Sequence, residues 1–135
     1  MRLVMVFSLA LAVLTGCPVS GNNCKVDREC NSGEVCARVG TCLDPSEVRE
    51  VKAIWTINGG PANAATCNDR DLFISFSSTE PIDSLSFSPV PCFAGQFGID
   101  KLPLYFDTVE LGVEGGVRDF SSFDASGNAQ LDLPL

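Results

Sequence analysis

The chain has 135 residues, a formal charge of -8, seven cysteines and no histidine. Its length fits one ordinary domain, or one small domain with a minor module. The acidic balance excludes a nucleic-acid partner, since Lys25, Lys52 and Lys101 are too scattered to offset it, and the missing histidine removes the usual general base and the commonest transition-metal ligand.

The N-terminus starts with Met1-Arg2, followed by an almost wholly apolar run from Leu3 to Leu14. Twelve residues as a helix span about 18 Å, short of the ~30 Å hydrocarbon core, so a signal-peptide core fits better than a membrane span. Small residues Thr15 and Gly16 then precede Cys17. Leu14-Thr15-Gly16-Cys17 resembles the lipobox of bacterial lipoproteins, in which an aliphatic residue and a small pair precede the cysteine. That resemblance implies a signal over residues 1–16, diacylglyceryl transfer to the Cys17 thiol and cleavage after Gly16. The competing reading is an ordinary secretory signal cut nearby. Pro18 to Asn23 contains no helix former and little to pack, so residues 17–23 are expected to be a lipidated tether. Pro18-Val19 lacks the Asp that favours inner-membrane retention in enteric bacteria, which makes the outer membrane the expected location.

Residues 24–43 carry Cys24, Cys30, Cys36 and Cys42 at even spacing, with five residues in each gap. The gaps hold few large apolar groups, so covalent staples must stabilise this stretch. Four cysteines allow three pairings. Nearest-neighbour bridges leave two unconnected loops, whereas an interleaved 24–36, 30–42 pattern makes one compact unit and is preferred. Zinc is disfavoured because structural sites usually space their cysteines by two to four residues. Cys24, Asp27, Cys30, Gly33, Cys36, Gly40 and Cys42 resemble the short cysteine repeats of myxobacterial-type lipoproteins, with the last gap one residue longer than in that pattern.

Asp44-Pro45-Ser46-Glu47 marks a boundary, and residues 44–135 read as strands. Seven runs follow: 51–57, 72–77, 82–87 ended by Pro89 and Pro91, a weaker 93–99, 105–113, 117–123 and 129–133. Short strands at this spacing predict a mainly β chain, a small antiparallel β-sandwich behind a disulfide-rich loop module. Cys67 and Cys92 remain as a third pair, expected to join the strand after the 58–66 loop to the end of the 82–87 segment, with Trp55 packed in the core against the bridge. Trp55-Thr56-Ile57-Asn58-Gly59, Pro61, Cys67, Pro91-Cys92 and Leu102-Pro103-Leu104-Tyr105 resemble prealbumin-like or carboxypeptidase-regulatory-like sandwich modules. The resemblance implies a non-catalytic binding or accessory module. An immunoglobulin-like topology is the alternative.

No cofactor fingerprint occurs. Asn68-Asp69-Arg70-Asp71 with Glu110 and Glu114 offers hard oxygens for calcium but lacks a complete ligand loop, so a solvated acidic rim, with no metal, is expected. Serines 75, 77, 78, 84, 86 and 88 nominate no nucleophile, since no Ser–His pair can form. The phenylalanines are expected to fill the core, with any exposed cluster marking a partner surface. The resulting expectation is a non-enzymatic envelope lipoprotein held to the membrane by its lipid, any partner being a protein or glycan of the envelope. A small disulfide-rich protease inhibitor is the competing function.

Overall fold

The computed structural model describes residues 23–135. The signal over 1–16, Cys17 and most of the tether lie outside the described residues. In chain order the strands are β1 (Val35–Cys36), β2 (Cys42–Leu43), β3 (Val48–Ile57), β4 (Gly60–Pro61), β5 (Asp71–Ser78), β6 (Asp83–Pro91), β7 (Gln96–Pro103), β8 (Thr108–Gly112), β9 (Arg118–Ser122) and β10 (Asn128–Leu133). One short helix, α1 (Ala64–Cys67), interrupts them, capped by the Asn63 side chain, which accepts from the Ala65 and Thr66 N–H groups.

The cysteine module is a minimal β1–β2 ladder laced by two bridges, Cys24–Cys36 and Cys30–Cys42. The pairing is the interleaved one. Each bridge closes a short loop and contributes about 3 kcal/mol in the chain-entropy account, less than a longer loop would. Backbone bonds complete the fold of the module, with Cys24 N–H donating to Gly40 and Gly40 N–H to Ala37. A 3-10 turn, Pro45–Glu47, then leads into β3, and Asp44 caps it by accepting from the Ser46 N–H at 2.8 Å.

Two four-stranded sheets make the sandwich. In the first, β3 is central: β10 pairs parallel along Lys52–Ile57, and β7 and β4 pair antiparallel along the opposite edge. The second runs β6-β5-β8-β9, antiparallel throughout. The β3–β10 pair is therefore the one parallel contact between these strands. Alternation sets the inward faces: Val51, Ala53, Trp55 and Ile57 from β3 meet Leu72, Ile74 and Phe76 from β5, all buried. Phe76 is the aromatic centre, with Phe87, Phe97 and Phe123 at ring-centroid distances of 6.2, 6.0 and 6.0 Å.

Several boundaries differ from the sequence reading. β6 spans Asp83–Pro91, running through Pro89 and ending at Pro91, where the sequence predicts a strand ended by the two prolines after Phe87. It is an edge strand, and an edge tolerates residues without an N–H. A register shift opposite Leu72–Ile74 absorbs the irregularity. The segment expected as a strand over 93–99 begins as a 3-10 turn, Cys92–Ala94, and β7 follows it. The long 105–113 run yields only Thr108–Gly112, because Tyr105 and Phe106 lie in the turn after Pro103. Cys67 sits at the end of α1, not on a strand, yet it bridges Cys92 as expected.

Gly127 locks the start of the parallel pair. Its φ is +79°, its carbonyl accepts the Lys52 N–H at 2.9 Å, and a Cβ there would lie 2.5 Å from the Glu50 carbonyl. Gly33 has φ +93° but open space around the same position. Both Gly→Ala substitutions incur left-handed strain of roughly 1–3 kcal/mol. Gly127→Ala adds a backbone collision and is expected to lower the urea midpoint clearly more than Gly33→Ala; equal shifts would mean that the collision is relieved at no cost.

Candidate functional site

β6 and β7 are consecutive in the chain but belong to different sheets, and three interactions hold the crossing between them. The Trp55 indole N–H donates to the Cys92 carbonyl at 2.8 Å, and the Trp55 backbone N–H donates to the Gly95 carbonyl at 3.0 Å. The Cys67–Cys92 bridge ties the same turn to α1. Gly95 takes a left-handed φ of 66° to turn the chain into β7. A closed loop of this size is worth roughly 3.5 kcal/mol in the chain-entropy account. Trp55 is thus packed against the bridge, as expected, and it also fastens the corner beside it.

The corner leaves the two edge strands facing each other across an open seam. A groove of about 510 Å³ follows it, lined by Ser86, Phe87, Pro89, Val90, Pro91, Ala94, Gln96 and Phe97. A second recess of about 240 Å³ shares Phe87 and Phe97 and adds Arg38, Gly98, Ile99 and Asp100. The two shared rings lie 5.0 Å apart, tilted by 42°, and each packs on the core while remaining half-buried. The opposite seam is fastened: the Asp132 N–H on β10 donates to the Asp119 carboxylate on β9 at 2.7 Å.

The cysteine module closes one end of the groove. Arg38 donates its backbone N–H to the Lys101 carbonyl at 3.0 Å and pairs its guanidinium with the Asp100 carboxylate. Lys101 bonds both carboxylate oxygens of Asp27 at 2.7 Å. Asp27 also accepts the Cys36 N–H at 2.9 Å, so the ion pair reaches the disulfide ladder. Lys101 has a left-handed φ of 52°, at the bulge where β7 slips against β3. The hydrogen bond from Lys101, then that from Cys36, holds the Asp27 carboxyl below its ordinary value of 3.8. The Arg38 guanidinium does the same to Asp100.

The remaining sequence candidates are dispersed. The Sγ atoms of Cys24, Cys30 and Cys42 lie within 4.8 Å of one another, but all three are oxidised in bridges and supply no thiolate. Among the described residues Asp69, Asp71, Glu110 and Glu114 join no three-ligand group, and Glu110 pairs with Arg118 at 2.9 Å. Ser75, Ser77, Ser84 and Ser86 stand on the outer face of the second sheet, with the Ser86 hydroxyl 2.8 Å from that of Ser75, while Ser78 is buried. Phe93 and Phe120 are exposed by 63% and 60%, on separate elements. Sequence reading missed the groove altogether. Pro89 and Pro91 read locally as a strand end, and nothing local announces that Arg38 meets Asp100.

The chain matches no family model, no curated protein and no solved structure.

The clasp carries a definite pH sign. Because Asp27 and Asp100 have folded pKa values below their unfolded ones, their stabilisation is present above the unfolded value, near 3.8, and is lost as pH falls through the lower folded values. Urea midpoints are expected to fall between about pH 5 and pH 2. Asp27→Asn and Asp100→Asn should each flatten that fall. Parallel curves for wild type and both variants would show that the clasp contributes nothing.

Proposed function

We propose that this chain is a cell-envelope lipoprotein whose disulfide-clasped β-sandwich is a non-catalytic binding module, displayed at the outer membrane by lipid on Cys17. The observation that carries the proposal is cysteine parity. Three bridges consume six of the seven cysteines, and the seventh is the one in Leu14-Thr15-Gly16-Cys17. Bridges of this density fit an oxidising, extracytoplasmic compartment. The groove along the β6–β7 seam, apolar at its floor and polar at its rim, is the binding site in this reading. A relationship to prealbumin-like or carboxypeptidase-regulatory-like modules, and a myxobacterial type of origin, are part of the proposal. They rest on the Trp55–Gly59, Pro91-Cys92 and Leu102–Tyr105 segments and on the cysteine spacing.

Two or three acyl chains at about 0.8 kcal/mol per buried CH₂ make membrane attachment close to permanent. Mass spectrometry of membrane extracts is expected to find an N-terminal peptide beginning at Cys17 and carrying acyl mass. Cys17→Ser should move the protein from the membrane fraction to the soluble fraction. A wild-type mature chain without lipid overturns the anchor.

A further inference from the structure

The free edge of β7 is uncharged over residues 96–99 and exposed at Gln96 and Gly98. In an antiparallel ladder, residues alternate between those bonded to the neighbouring strand and those whose N–H and C=O point away. Trp55 donates to Gly95, and Ala53 and Val51 stand opposite Phe97 and Ile99, which puts the odd-numbered residues of this stretch on the β3 side. The N–H and C=O groups of Gln96 and Gly98 therefore point out into the seam. Both residues are exposed. Facing them, β6 presents Pro89 and Pro91, which have no N–H to donate. The far end of the same β7 edge is already used by backbone pairing, since Arg38 donates its N–H to Lys101.

We propose that the groove takes an extended segment of a partner protein, which adds to β7 as a short strand in continuation of the pairing that Arg38 begins. This rests on the reading of the seam as a binding site. The main-chain groups of Gln96 and Gly98 hold the segment's backbone. Alternate side chains of the segment enter the apolar floor at Phe87, Phe97 and Val90, and the others face water. A glycan's hydroxyls donate and accept at the sugar spacing, not at the two-residue strand repeat that these groups present. The proline-bearing β6 wall restricts pairing to one side of the groove.

The test uses the full chain with its disulfides intact. Short random peptides displayed on phage are panned against it, and the recovered peptide is synthesised as the probe. Its sequence should alternate apolar and polar residues, and its binding should slow hydrogen exchange at the Gln96 and Gly98 amides. Methylating alternate backbone nitrogens of the probe, which leaves the protein untouched, should weaken binding about tenfold, the loss of one or two hydrogen bonds. Gly98→Pro should weaken it likewise. Recovery of no peptide, unslowed exchange at both amides, or equal binding of the methylated probe overturns the proposal. So does protection of those amides without peptide in a chain that dimerises, which would make a second copy the occupant, or protection by neutral oligosaccharides alone. Each of these results leaves the acyl mass on Cys17 standing, so failure of the strand-addition idea is distinguishable from failure of the lipoprotein reading.

Discussion

The turn at residues 92–95, held by Trp55, is the constraint on which the rest depends. A chain leaving the edge of one sheet must enter the edge of the other without exposing the core between them. Trp55 solves this from near the end of β3, donating its indole N–H to the start of the turn and its backbone N–H to the end. Its ring is buried, so both donors work in a low-dielectric setting where an unpaired N–H would be costly. The Cys67–Cys92 bridge then removes alternative placements of the turn from the unfolded ensemble. With the corner fixed, β6 and β7 face each other across the seam, and the groove between them follows from that placement.

The second constraint is scarcity of core. The cysteine module buries little beyond Cys24, Cys36 and Ala37, too few side chains to fold by burial alone. Its bridges supply order, and its contact with β7 supplies position. Lys101 and Arg38 are each more than a third exposed on the side chain or close to it, so screening leaves their ion pairs modest in energy. What they contribute is registry. Lys101 holds a left-handed backbone at the bulge, which turns its carbonyl toward Arg38 and its side chain toward Asp27. The module is therefore fastened to the sandwich at one bulge, by two ion pairs and by Val39 packed against the core, beyond its covalent link through residues 44–47.

The sequence carried the strand content well where one face is buried and the other wet. Leu72, Ile74 and Phe76 alternate with Phe73, Ser75 and Ser77, and the structure places the first set inward. Cysteine spacing was equally informative, because compactness favours interleaved bridges in loops without a core. It misled where edge and centre follow different rules. Pro89 and Pro91 would break a central strand but sit inside β6, since an edge has one side that needs no donor. The apolar run from Tyr105 suggested a long strand, whereas Tyr105 and Phe106 stack in a turn, 5.0 Å between ring centroids, with Phe106 fully buried. Burial alone does not distinguish a strand from a packed turn. The seam itself was invisible, because it depends on which strands end each sheet.

The two seams of the sandwich are treated in opposite ways, and the contrast bears on what the open one is for. At β9 and β10 a backbone N–H meets a carboxylate across the gap, and the Asp132 side chain turns back to bond Thr56 and the Gly59 N–H. At β6 and β7 the aromatic pair Phe87 and Phe97 stays half-buried instead of being covered. Each square ångström of apolar surface left wet forgoes about 25 cal/mol, so a small domain short of core has reason to close such a gap. The β6 side of the gap carries prolines that block pairing, while residues 96–99 of β7 carry neither proline nor charge. An edge left bare over its apolar stretch and guarded only opposite and at its end is open to one strand from one direction, which is a more restricted invitation than an unprotected sheet edge extends.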